Sequence, residues 1–228
     1  MNNLDSWLAK LPSEYEPISD LTRQFALSGV DEDEGGVILA GHEPTRGPQA
    51  YAVALFPGLT SHAIQRYEAL NELTIPATVK AFLGHVNGAF LCELSLYGIP
   101  PSMIDNPPML SRSTRNPYDI ATANHYWRAG FERVEPTEFY IGGRNVSWSG
   151  QIGYFIRDDG SIVSYPKRGT DFPITTWPSF EVWLNDELNR MMTHRPAFLE
   201  ESEIEGRKAD RRYFRQKLLP WNWYRWLR

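Results

Sequence analysis

The sequence predicts an α+β fold, a twisted and mostly antiparallel sheet with helices packed on it. Three observations predict it. Helical periodicity comes first, in SHAIQRYEALNEL and IPATVKAFLGHVNG. Three short apolar runs, EFYIGG, QIGYFIRD and SIVSYP, then cluster, with Asp159-Gly160 between the last two. An amphipathic stretch, WPSFEVWLNDELNRMM, closes the pattern. Helices followed by grouped strands and a final helix give segregated layers rather than alternating βαβ units.

Each element has its own local reason. Leu4, Trp7, Leu8 and Leu11 lie at helical spacing before Pro12 and predict a short helix. DEDEGG at 31–36 reads as a charged turn before a strand VILAG, and EPTRGP as a second turn leading to YAVALF. Thr60 or Ser61 caps the next helix, which places Ile64, Tyr67 and Leu70 on one side. Pro76 then suits a first helical turn, where its missing N–H costs nothing. Val79, Phe82, Leu83 and Val86 form one buried stripe. Gly88 suits the left-handed residue that closes a helix. His85 and Asn87 therefore read as parts of a structural junction and not as reagents.

AFLCELSLYG follows as one apolar strand, with Cys92 as a small core residue. The stretch IPPSMIDNPPMLSRSTRNP is long for a loop within a compact domain, and such loops often carry function. A helix around 119–129 carries Ile120, Ala123 and Trp127. Asp159-Gly160 signals a two-residue hairpin turn. The final helix buries Phe180, Trp183, Leu184, Leu188 and Met191 along one face.

The order of these motifs resembles the SUKH superfamily, the cell-wall-assembly-regulator-like domains. The helix SHAIQRYEALNEL leading to IPATVKAFLGHVNG, then FYIGG, a hairpin with a D-G turn and a closing WPSFEVWLNDEL helix span roughly residues 58–192. Many members serve as immunity proteins in bacterial toxin systems. The resemblance implies helices packed on an antiparallel sheet and a non-enzymatic protein that binds a cognate toxin. Eukaryotic members have regulatory roles instead, so a regulatory scaffold is the alternative. The family has no catalytic residue set to carry over. The long opening segment and the tail after Arg195 depart from its pattern.

Composition sets the outer bounds. With 228 residues, 42% hydrophobic and 22% charged, the chain has the make-up of a folded protein. No apolar run approaches the roughly 18 residues of a membrane span, and the acidic N-terminus is unlike a signal peptide, so a cytoplasmic location is expected. Cys92 is the single cysteine, which rules out an intramolecular disulfide or a thiolate metal cage. From Arg207 onward eight Lys/Arg face one Asp, a balance of +7, while the preceding residues hold 15 bases against 27 acids, or −12. Three regions follow: an acidic segment 1–55 packing on or extending the core, an α+β domain 56–195, and a basic, aromatic, partly helical tail 196–228.

Residues for catalysis are not apparent. The histidines at 42, 62, 85, 125 and 194 show no metal-binding spacing, and no nucleophile elbow or phosphate loop occurs. No cofactor or metal is expected. Binding is better supported. Asp31, Glu32, Asp33 and Glu34 form an acidic run that would steer a basic toxin such as a nuclease, chiefly by raising the association rate. The loop residues Met103, Met109, Arg112 and Arg115, and Trp148 in NVSWSG, are further candidates for a protein partner. In the tail, Arg211, Arg212 and Arg215 with Trp221, Trp223 and Trp226 suit docking on the acidic body or self-association. Stacking on nucleic acid or lying in a membrane interface ranks last among its expected uses.

Overall fold

The computed structural model describes residues 3–33, 35–43, 50–104, 116–146 and 150–193. Nine strands form one antiparallel sheet in which each strand pairs with its neighbours in sequence. They are β1 (Val30–Glu32), β2 (Ile38–His42), β3 (Tyr51–Pro57), β4 (Val86–Leu91), β5 (Leu94–Leu96), β6 (Phe139–Asn145), β7 (Gln151–Ile156), β8 (Ile162–Pro166) and β9 (Thr175–Trp177). The helices are α1 (Asn3–Leu8), α2 (Glu16–Ala26), α3 (Ser61–Asn71), α4 (Ala77–His85), α5 (Ile120–His125) and α6 over 180–193. Antiparallel neighbours can be joined by short turns, which permits this meander.

Register sorts the sheet into two faces, because cross-strand partners share a face. One row runs Ile38, Leu55, Ala89, Leu96, Gly142, Tyr154 and Ser164. This face meets the helices: its apolar residues form one core with Ile18 and Leu21 of α2, Leu83 of α4, and Trp183, Leu184 and Leu188 of α6. The rings of Tyr154 and Trp183 sit 4.9 Å apart. The opposite row runs Leu39, Ala54, Phe90, Ser95, Gly143, Gly153 and Tyr165. Its β2–β3 end forms a second small cluster with Val37 and Phe56.

A buried ion pair ties α6 to the sheet. Arg144 of β6 points to the helical face, where its Nε lies 2.6 Å from the Tyr154 hydroxyl and 3.2 Å from Glu187 Oε2. Both charged side chains are at least nine-tenths buried. Arg190, one turn along α6, donates to the same carboxylate at 3.0 Å, and the Arg144 guanidinium stands 5.0 Å from the centre of the Phe172 ring. Burial, and then the charge of Glu187, push the Tyr154 hydroxyl far above its ordinary value.

Several expectations hold in detail. Thr60 accepts from Ala63 N and caps α3, and the five residues assigned to the buried face of α6 are all in the core. Others need correction. Leu70 is 63% exposed, because a residue six positions after Ile64 has rotated about a third of a turn off the stripe. Val86 begins β4 instead of ending the helix. Gly88 does have a left-handed φ of +79°, but as a strand residue beside a register shift. A Cβ there would lie 2.8 Å from Leu96 O, so both backbone angle and space demand glycine.

AFLCELSLYG is a hairpin and not one strand: Leu91 pairs with Leu94, leaving Cys92 and Glu93 as its turn. Cys92 takes φ +58°, the positive angle that two-residue hairpin loops favour. The segment read as a helix around 119–129 divides into α5 and a 3₁₀ turn, Trp127–Gly130. Asp159-Gly160 sits in a five-residue loop, since Ile156 pairs with Ile162. Hydrogen bonds from Ser161 shape that loop and hold the Asp159 carboxyl below its usual range.

Candidate functional site

The junction at 75–88 is structural. The Asn87 amide donates to Ile99 O and its carbonyl accepts from Ile99 N, both at 2.8 Å, so one buried side chain clamps the strand-to-loop crossing. Asn87→Ala is expected to cost about 2–4 kcal/mol, because two buried backbone groups lose their partners. A denaturant midpoint measures this, and an unchanged midpoint would contradict the clamp. His85 is exposed, with its ring 5.9 Å from that of Tyr15.

Other buried polar groups are likewise committed to structure. Glu138 accepts from Arg157 Nε at 2.7 Å, from the Tyr165 hydroxyl at 2.9 Å and from Glu135 N at 3.0 Å. Asp119 caps α5 through Thr122 N and also receives the Tyr67 hydroxyl. Among the described residues no three His, Cys, Asp or Glu side chains gather in a way that could hold a metal ion.

Two of the concave surfaces among the described residues gather side chains of one character. The first is a groove of about 450 Å³ between the segment entering α2 and the outer face of α6. Glu14, Glu16 and Asp20 line one wall, and Glu181 faces them from the first turn of α6. Val182 and Met192, 47% and 38% exposed, add apolar surface. Four carboxylates and no basic residue line it among the described residues. Tyr15 registers the resulting field: burial first, then the charges of Glu14 and Glu181, push its hydroxyl up to about 12. Asp20 also meets Arg23 at 3.4 Å, an exposed pair that contributes little.

The second is an aromatic cleft of about 580 Å³ on the opposite sheet face. Its floor is the Ser95–Gly143 part of the cross-strand row. Tyr118, Tyr126 and Trp127 rise at the rim, 49%, 73% and 41% exposed. Below them the Tyr97 and Tyr140 hydroxyls share a 2.9 Å hydrogen bond. Burial pushes both up, Tyr97 to about 12, so both stay protonated at neutral pH. One proton fills that bond and the second can serve another acceptor.

Asp31 and Glu32 lie on the exposed edge strand β1 and not in a turn. Asp33 is in the turn, and its carboxylate accepts from Gly35 N and Val37 N, so this charge has a structural task. Met103 is 47% exposed at the end of a 3₁₀ turn. Glu34, Met109, Arg112, Arg115, Trp148 and the tail residues Arg211, Arg212, Arg215, Trp221, Trp223 and Trp226 lie outside the described residues.

Neither concave surface is legible in the sequence. The groove joins residues some 165 positions apart, which no local pattern can link. The cleft gathers tyrosines from just past β5, from a loop, from a turn and from β6. A scan of protein-family models and a search of curated proteins gave no match to this chain. No helix among the described residues is long and apolar enough to cross a membrane.

Proposed function

We propose that this chain is a non-enzymatic binding module, an immunity protein that neutralises a cognate bacterial toxin by direct complex formation. The observation that carries the reading is the acidic groove between α2 and α6. Carboxylates converge there from two helices around exposed apolar side chains, a surface suited to a basic, partly apolar partner segment. Long-range attraction raises the rate of encounter, and apolar contact with Val182 and Met192 slows release. A basic toxin such as a nuclease has the complementary charge. The resemblance to SUKH domains supports the same reading through the order of helices and strands. Capture of this kind requires a rigid surface, and the buried Arg144–Glu187 pair fixes the helix that forms one wall.

The direct test titrates the purified chain with the C-terminal domain encoded by the neighbouring reading frame. A stoichiometric complex whose affinity falls with added salt supports the proposal. Absence of a complex would favour a regulatory scaffold with a different cellular partner.

A further inference from the structure

We propose that the aromatic cleft is a binding site for a compact organic ammonium group. The inference goes beyond partner capture by the acidic groove and stands or fails separately. Tyr97, Tyr118 and Trp127 are nearly perpendicular in every pairing: 71° for Tyr97 with Tyr118, 76° for Tyr97 with Trp127 and 82° for Tyr118 with Trp127. The corresponding centroid separations are 6.2, 5.7 and 5.9 Å. Tyr97, 3% exposed, forms the base, and the exposed rings of Tyr118 and Trp127 make a corner over it. A cation held against these two rings comes within the ~6 Å over which an aromatic face attracts it.

The shape selects further. Perpendicular walls offer no parallel slot for a flat base or sugar ring, whereas an alkylated ammonium is nearly spherical and has an apolar surface. Glycine at position 143 lets the two tyrosine hydroxyls pack down on the strand: a Cβ there would lie 3.1 Å from the Tyr140 hydroxyl and 3.3 Å from that of Tyr97. The ring faces supply negative potential, and Glu93 also lines the cleft. Lys167 is the one cation among the described lining residues, and its ammonium donates to Gln151 Oε1 at 3.3 Å. Its charge opposes a cationic ligand, which gives the proposal a signed test.

The test titrates the full chain with choline and with 3,3-dimethylbutan-1-ol, its uncharged isostere, followed by calorimetry and tryptophan emission. Choline is expected to bind roughly tenfold more tightly than the alcohol, as cation–π attraction in a partly desolvated site implies. Trp127→Ala should remove most of that preference, Trp127→Phe should keep part of it, and Lys167→Gln should tighten choline alone. Equal binding of the two compounds, no saturable choline binding, or binding unchanged in Trp127→Ala would overturn the proposal. Peptides carrying lysine or trimethyl-lysine separate the sources. Tighter binding of either peptide than of choline assigns the site to a protein side chain, and the reverse assigns it to a free small molecule.

Discussion

Replacing Glu187 with alanine is expected to lower the unfolding free energy by about 3–5 kcal/mol, the cost of leaving a buried charge without its partner. Arg144 would keep its guanidinium between Tyr154 and Phe172, in a site at least nine-tenths buried, with no carboxylate to balance it. Arg190 would lose its acceptor as well. The double change Arg144→Met with Glu187→Leu should cost far less, because removing both charges also removes their desolvation penalty. Chemical denaturation of the two single variants and the double variant measures the coupling. A loss below about 1 kcal/mol for Glu187→Ala would contradict the assignment of this pair as the tie between α6 and the sheet.

Reversing Glu14, Glu16 and Glu181 to lysine is expected to slow association with the toxin domain by roughly 10–100-fold at low salt. The three side chains are exposed and line the groove from both sides. Their substitution should leave the melting temperature nearly unchanged, as for surface positions generally. The salt dependence of the rate should flatten together with the rate itself, since both arise from the same field. Neutralising Asp31 and Glu32 on β1 tests the acidic run without disturbing the turn held by Asp33. If reversing the groove leaves rate and salt dependence intact, the groove has no part in recognition.

The α+β class was legible because its signals are local. The apolar runs that became β6, β7 and β8 carry their own strand patterns, and the face of α6 was readable residue by residue. α2 was also within reach, since Ile18, Leu21, Thr22 and Phe25 follow helical spacing after Pro17. The acidic character of the segment obscured that stripe. Turn length was harder to judge. Whether Cys92 and Glu93 bend the chain depends on the pairing of Leu91 with Leu94, a consequence of neighbouring strands. Asp159-Gly160 marked the right place but could not reveal that Asp159 would recruit Ser161 into a wider loop.

Sites demand more than local signals. The acidic groove exists because α6 packs back across the sheet beside α2, which brings Glu181 opposite Glu14 and Glu16. Nothing near Glu181 in sequence announces that meeting. The corner of the aromatic cleft likewise depends on the register that sets Ser95 beside Gly143 and on the turn that lifts Trp127 over them. The acidic body, by contrast, was evident from composition, and the groove is one place where that charge is concentrated.

The most direct test of toxin neutralisation is growth rescue. The C-terminal domain encoded by the neighbouring reading frame is expressed in a sensitive host, with this chain, with its groove-reversed variant, or alone. The domain alone is expected to arrest growth, the native chain to restore it, and the variant with Glu14, Glu16 and Glu181 reversed to restore it only weakly. Arrest that the native chain leaves untouched, at an expression level matching the toxin domain, would contradict the immunity function.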